Sequence, residues 1–313
     1  MNEVVKKTKS KYKIPNCFVG EVTSDQEVLT IPTGDSKDSS YNFCSVSKLV
    51  TSILIIKLIA SNEVSLDDTI KKELSDFPDE RVTVEDCLRH VSGLIDKEEN
   101  FLPNKELNRE HLITDVTLDN YGEFLYSDHG YMILQFFLEE KFKQDFSTLI
   151  TKMIFEPLGL KSFKYLESLS DINSNTFVKG YNQENHELKD SYSIYPYAAA
   201  CGLWGSGTDL LTFIQEVVNG LHGKSSLAIP KNVYSLLLTS KYEEWLGLGC
   251  FLDDTPSGLE LSSLGWGQGY QSLVSLMPDK SKALVILTNK DSGVHQLKGF
   301  CGAVYREWVT TFI

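Results

Sequence analysis

Ser45 and Lys48 open a long run that is otherwise apolar and extends to Ala60. In a helix, side chains three residues apart share one face. A serine hydroxyl becomes a nucleophile when a base removes its proton, and a lysine can be that base where desolvation and nearby cations depress its pKa. A free backbone N–H at the start of a helix can also stabilise an oxyanion. The pair therefore indicates nucleophilic chemistry at a carbonyl carbon.

The Ser-x-x-Lys spacing alone is weak evidence, because the chain contains it twice. Ser10 and Lys13 also match, but they lie in a polar terminal segment that we expect to be surface. For Ser45 and Lys48 the alternative is a capping serine and a surface lysine. Their surroundings favour chemistry, since the helix that follows is apolar on nearly every face and is predicted to be buried. Its stripe at helical spacing is Leu49, Ile53, Ile56 and Ala60.

The composition of the chain limits its function class. The 313 residues are 42% hydrophobic and 23% charged, typical of a globular protein with one large domain or two closely associated ones. The net charge is −13, which disfavours binding to nucleic acid or to anionic membranes. No run reaches the roughly 18 apolar residues of a membrane span, and the basic N-terminus lacks an apolar signal region. We therefore expect a cytoplasmic enzyme.

The cysteines and the motif content predict no metal and no cofactor. The six cysteines are scattered, without a CxxC pair or a Cys/His cluster. Buried, reduced thiols are the simplest interpretation. The glycine-rich segment at 265–269 lacks the P-loop pattern.

The order of predicted elements suggests two domains. Strands are predicted at 17–32 and again at 247–289, helices in between, and a last helix at 293–310. Pairing of the two strand groups would make a discontinuous α/β sheet domain from residues 1–44 and 215–313. Residues 45–214 would form a mainly helical domain, and the active site would lie in the groove between them.

The segment from Asn42 to Thr51 resembles the active-site helix of the serine β-lactamase and penicillin-binding-protein superfamily. The closest resemblance is to the branch of class C β-lactamases, D-alanyl-D-alanine carboxypeptidases and esterases. It implies a β-lactamase/transpeptidase-like fold, with a mostly antiparallel sheet, flanking helices and an inserted all-helical domain. Further segments resemble that branch in order along the chain, at 58–70, 88–94, 125–134, 154–160 and 201–213.

The resemblance assigns roles to three catalytic residues. Ser45 is the acyl-forming nucleophile, Lys48 activates it, and Tyr126 shuttles the proton to the leaving group. Asp128 stands where a Tyr-x-Asn motif has asparagine. An amide donates and accepts hydrogen bonds, whereas an ionised carboxylate only accepts. We therefore expect weak handling of acylated substrates such as penicillins, and pairing of Asp128 with Lys48 or with a substrate amine.

The third motif of the superfamily, normally Lys-Thr-Gly or His-x-Gly, is altered in two possible registers. An ungapped register places Ser263-Leu264-Gly265 there, and a gapped register uses Trp266-Gly267. Either way the cation that meets a substrate carboxylate is absent. In the ungapped register the backbone N–H of Trp266 would join that of Ser45 as an oxyanion hole, although Trp266 as core packing is the alternative.

Two histidines lie close to these motifs in the sequence. His90 is predicted to be structural, and His129 is a weaker candidate for the groove.

The resulting hypothesis is a serine hydrolase that forms a covalent acyl-enzyme with a small ester, amide or peptide substrate. The first alternative is a β-lactamase or D-alanyl-D-alanine carboxypeptidase, and the second is a non-catalytic binding or sensing protein of the same fold. Small-molecule substrates are the expected partners, without nucleic acid or membrane, and the sequence leaves the oligomeric state open.

Overall fold

The structure, a computed structural model, describes residues 1–23, 25, 27–31, 33, 35–97 and 101–311. The helices are α1 Asn2–Lys11, α2 Ser47–Ala60, α3 Val84–Leu88, α4 Arg109–Thr114, α5 Asp128–Phe142, α6 Phe146–Ile150, α7 Glu156–Leu158, α8 Ala198–Cys201, α9 Gly207–Leu221, α10 Lys231–Tyr234 and α11 Phe300–Thr310. The strands are β1 Cys17–Val22, β2 Val28–Thr30, β3 Ser40–Asn42, β4 Lys164–Tyr165, β5 Leu203–Ser206, β6 Phe251–Thr255, β7 Gly258–Gly267, β8 Tyr270–Met277 and β9 Lys282–Thr288.

The main sheet joins the two ends of the chain. Its order is β2-β1-β9-β8-β7-β6, and every neighbouring pair is antiparallel. The prediction that the early and late strands pair is confirmed, since Cys17 lies opposite Thr288 and Val22 opposite Ala283. Residues 24 and 26, predicted to form the turn between β1 and β2, lie outside the described residues.

Helices cover both faces of this sheet. On one face α1 and α11 enclose a small core that includes Val5, Trp308 and Ile286. On the other face α9 packs against β1 and β9. Because both faces are covered, β8 is buried at every position, including its polar residues Gln271, Ser272 and Ser275. The sequence predicts that Thr208 caps α9. In the structure the cap is Ser206, whose hydroxyl accepts a hydrogen bond from Asp209 N–H.

The middle of the chain contains the buried helix α2 that the sequence predicts. All its positions from Ser47 to Ile56 are buried. Besides helices, this part of the chain also contributes β4 and β5, which form a three-stranded sheet with β3. The domain boundaries at residues 44 and 214 stay predictions.

The sequence predicts helices at 65–74 and, after a Thr83 cap, at 83–94, but both are shorter in the structure. The last helix begins at Phe300 and not near residue 293 as predicted. Residues 65–74 form only a 3-10 turn at Ile70–Lys72. Asp68 there accepts a bond from Ser65 N–H, and such local bonds compete with a helix. Helix α3 has the predicted Thr83 cap but ends at Leu88, because His90 has a φ of 56°.

The edge of β7 creates the groove. Strand β6 pairs with β7 only as far as Ser262, so residues 263–267 have no partner on that side. The 3-10 turn Cys44–Val46, which precedes α2, packs against this free stretch. Of the helices in the described part of the chain, none is long and apolar enough to cross a lipid bilayer.

Candidate active site

Ser45 lies in a tight turn that the sheet holds in place. Cys44, immediately before it, has a φ of 50°, which is unfavourable for a residue with a side chain. Asn42 stabilises this conformation because its Oδ1 accepts a bond of 2.7 Å from Cys44 N–H. Ser272 of β8 donates to the Phe43 carbonyl at 2.7 Å. The turn therefore holds Ser45 in a fixed orientation just before the first residue of α2.

Lys48 lies next to Ser45, and each of the three N–H groups of its ammonium has a hydrogen-bond acceptor. Its Nζ donates to Ser45 Oγ at 3.2 Å and to the Ala200 carbonyl at 3.0 Å. The third acceptor is the carboxylate of Asp128, with which Lys48 forms an ion pair. Three acceptors match the three donors of an ammonium group.

The pKa of Lys48 is opposite to the sequence-based expectation. Burial favours the neutral amine and acts to lower the pKa, but Asp128 and then Tyr126 raise it, and the net pKa lies well above the ordinary value. Lys48 is therefore an ammonium ion at neutral pH. A depressed pKa, the condition on which Lys48 could act as the base, is not met because Asp128 pairs with Lys48, one of the two pairings that the sequence predicts for Asp128.

Tyr126 completes the cluster. The Lys48 Nζ lies 5.0 Å from the centre of the Tyr126 ring. Burial of the hydroxyl raises the pKa of this phenol, Lys48 lowers it, Asp128 raises it, and hydrogen bonds with Lys48 and Ser45 lower it, so that the net pKa is raised. Ser45, Lys48 and Tyr126 thus lie together, with Asp128 as the fourth member.

The two histidines have different positions. His90 stacks on Tyr126 with ring centres 4.3 Å apart, and its Nδ1 accepts a bond from Ser127 N–H. Burial and then Lys48 lower the pKa of His90 to about 3, so that it is neutral. His129 is buried, and its Nε2 lies 2.8 Å from the Leu112 carbonyl, away from Ser45.

Sequence reasoning missed Asp96. Its carboxylate accepts bonds of 2.9 Å from Ser127 Oγ and from the N–H groups of Asp128 and His129. Asp96 therefore caps the N-terminus of α5 at Asp128, the residue that forms the ion pair with Lys48. Burial and then Asp128 raise the pKa of Asp96. No local signal marks this residue, because its partners lie more than 30 positions later in the chain.

The altered third motif lies on the free edge of β7. Ser263 and Leu264 line the same cavity as Ser45. A Cβ on Gly265 would come within 2.4 Å of the Phe43 carbonyl, so glycine permits the close approach of β7 to the turn. Trp266 is 43% exposed, so it is not part of the core. Its Nε1 donates to Asp291 at 2.9 Å.

The cavity at Ser45 is small and has little charge. Its volume is about 10 Å³, roughly the room of one water molecule. Lys48, already paired, is the single cation among its nine described lining residues. A cavity of about 870 Å³ elsewhere is lined by none of the predicted site residues. The lining of the small cavity is Ser45, Lys48, His90, Tyr126, Gly249, Cys250, Phe251, Ser263 and Leu264.

The described residues offer no metal site, since no group of three or more His, Cys, Asp or Glu side chains among them is placed to hold an ion.

Comparison with known proteins identifies the family and the fold of the chain. The family model "Beta-lactamase" matches residues 1–298. Penicillin-binding protein 4* of Bacillus subtilis (strain 168) is 26% identical over 81% of this chain, which spans only 61% of that relative's length. A β-lactamase/D-alanine carboxypeptidase from Pseudomonas syringae has a TM-score of 0.80 at 17% identity, with 98% of this chain and 97% of that one covered.

A further solved structure has the same fold. The D-amino acid amidase from Ochrobactrum anthropi SV3 has a TM-score of 0.81 at 18% identity, and the match covers 99% of this chain and 98% of that one. The β-lactamase/transpeptidase fold expected from the sequence is confirmed. The chain belongs to the beta-lactamase family.

Proposed function

We propose that this protein is a serine hydrolase that forms an acyl-enzyme at Ser45. The observation that carries the proposal is the convergence of a hydroxyl, an ammonium and a phenol. Lys48 donates to Ser45 Oγ, and its Nζ lies 5.0 Å from the centre of the Tyr126 ring. Such a cluster is the arrangement that activates a serine for covalent catalysis.

In this mechanism Tyr126, as phenolate, is the base and Lys48 stays an ammonium. Tyr126 takes the proton of Ser45 while Oγ bonds to the carbonyl carbon and the carbonyl oxygen becomes an oxyanion. Tyr126 then gives this proton to the leaving atom as its bond to carbon breaks. Lys48 supports the phenolate electrostatically, since its charge lowers the pKa of Tyr126.

Water completes the cycle by the same route. It loses a proton to Tyr126 and attacks the acyl carbon, and Ser45 leaves with the proton returned to its Oγ. The backbone N–H groups of Ser45 and Trp266 are the proposed donors to the oxyanion. The close contact of Gly265 with the Phe43 carbonyl supports this pairing of β7 with the turn.

We propose small esters, amides or peptides without a carboxylate near the scissile bond as substrates. The lack of an unpaired cation in the described cavity lining supports this, because an anionic group there would lose its hydration without a partner. Asp128 and Asp291 add negative charge on two sides of the site. In the ungapped register of the third motif, Ser263 occupies the position at which the superfamily normally has a cation.

D-alanyl-D-alanine carboxypeptidase or β-lactamase activity is the second candidate. It is supported by the names of relatives such as the Pseudomonas syringae protein and the Bacillus subtilis penicillin-binding protein. A fluorescent penicillin tests it, since our proposal expects faster acylation in Asp128→Asn than in the wild type. Equal rates would contradict the role given to Asp128.

Labelling with a fluorophosphonate and hydrolysis of p-nitrophenyl acetate test the proposal. We expect both in the wild type and neither in Ser45→Ala. Ser10→Ala is the matched control, because Ser10 belongs to the other Ser-x-x-Lys pair and should react like the wild type. Wild-type protein that neither labels nor hydrolyses would instead support a binding or sensing protein.

A further inference from the structure

Three aromatic rings, one exposed and two half-buried, lie beside the small cavity. Phe124 and Trp245 pack edge to face with ring centres 4.6 Å apart, and Phe251 lies 6.1 Å from Trp245 and 6.5 Å from Phe124. We call these three residues the ring cluster. Trp245 is 40% exposed and the neighbouring Leu125 is 36% exposed. Contiguous exposed apolar surface next to a reactive group commonly marks a ligand-binding surface.

The ring cluster is continuous with the proposed active site. Phe251 lines the cavity together with Ser45. His90 contacts the cluster through Phe124, at 6.1 Å between ring centres, and stacks on Tyr126. The cluster therefore lies on the Tyr126 side of Ser45.

The loop that carries Trp245 is anchored by buried polar contacts. The Arg89 guanidinium, 1% exposed, donates to the carbonyls of Thr239 and Leu246 at 2.5 and 3.1 Å. Tyr242 donates to Asp86 at 2.8 Å. These bonds hold both ends and the middle of the loop, so Trp245 is preorganised before any ligand arrives.

The size of the cavity decides which part of a substrate meets these rings. The cavity has room for about one water molecule, so it cannot hold the leaving group of a substrate. If Tyr126 protonates the leaving atom, as in the proposed function, the leaving group must extend on the Tyr126 side, over the ring cluster. We infer that the ring cluster binds an apolar, preferably aromatic, leaving group of the ester or amide substrate. This inference rests on the proposed function.

Two acetate esters with different alcohols test the inference. The ratio of kcat/KM for benzyl acetate to that for ethyl acetate is measured in the wild type, Trp245→Ala and Trp245→Phe. We expect Trp245→Ala to lower the ratio about tenfold, the size of an aromatic contact, and Trp245→Phe to retain most of it. Leu169→Ala is the control, because Leu169 is an equally exposed apolar residue at another cavity and should leave the ratio unchanged.

The outcomes separate the inference from the proposed function. Because each ratio is taken within one variant, a general loss of folded protein cancels out. Hydrolysis of both esters with an unchanged ratio in Trp245→Ala would overturn the inference and leave the proposed function standing. Failure of the wild type to hydrolyse either ester or to be labelled at Ser45 would overturn both.

Discussion

At the residue scale, the central feature is that Lys48 is fully paired. Three acceptors surround its Nζ, and Asp128 raises its pKa, so the lysine is a fixed positive charge and not a free base. The same carboxylate raises the pKa of Tyr126. Asp128 thus opposes the lowering of the Tyr126 pKa by Lys48. Because the phenolate then forms only at higher pH, we expect the reaction to need alkaline pH.

Asp128→Asn should shift the pH profile of ester hydrolysis. Removal of the negative charge lowers the pKa of Tyr126, so the rise of kcat/KM with pH should move to lower pH and the rate at neutral pH should increase. Asp254→Asn, on the exposed part of β6, is the control and should keep the wild-type profile. An identical profile in Asp128→Asn would show that Asp128 does not act on the base.

The depressed pKa of His90 leads to a separate prediction about stability. Its pKa is about 3 in the folded protein and about 6.5 when unfolded, so between these values only the unfolded chain binds the proton. Stability from neutral His90 is therefore present above pH 6.5 and is lost as the pH falls. From pH 7 to pH 5 this loss is about 2 kcal/mol of unfolding free energy.

Urea unfolding at the two pH values checks this in the wild type and in His90→Asn. Asparagine suits the left-handed backbone at this position and can accept the bond from Ser127 N–H. The pH-dependent loss should be smaller in the variant by about 2 kcal/mol. The same loss in both proteins would mean that other groups cause it.

At the element scale, the N-terminus of α5 is the structure that aligns the site. It carries Asp128 at its first position and is capped by Ser127 and Asp96. The sequence predicts this helix and the residues Tyr126 and Asp128, because a motif marks them. It does not predict the Asp96 cap, because that contact depends on how a distant loop folds back.

Removal of the Asp96 cap should affect both stability and catalysis. We expect Asp96→Ala to lower the free energy of unfolding by about 1–2 kcal/mol, as for other helix caps, and to lower kcat more than it raises KM. Asp96→Asn keeps an acceptor oxygen and should lose less of each. Urea unfolding and steady-state kinetics measure the two effects.

Asp145→Ala is the matched control for this cap. Asp145 caps α6 by a bond of 2.7 Å from Thr148 N–H and lies outside the small cavity. We expect a similar loss of stability with an unchanged kcat. Equal catalytic effects of the two variants would remove the positioning role assigned to Asp96.

At the scale of the whole molecule, the groove depends on how the two ends of the chain meet. Strands β1 and β9 join in one sheet, and the free edge of β7 packs on the turn that carries Ser45. The resemblance to the superfamily predicts this fold and brings Ser45, Lys48 and Tyr126 together. The pairing of Lys48 with Asp128 is one of the two pairings that the sequence predicts for Asp128. The ring cluster follows from tertiary contacts that no local pattern records.

The most direct test of the central claim is the mass of the protein during turnover. Protein quenched while it hydrolyses p-nitrophenyl acetate is digested, and the peptides are analysed by mass spectrometry. We expect one added acetyl group on the peptide that contains Ser45, and its absence in Ser45→Ala. Turnover without an acetyl group on that peptide, or with one on another residue, would contradict the role of Ser45 as the nucleophile.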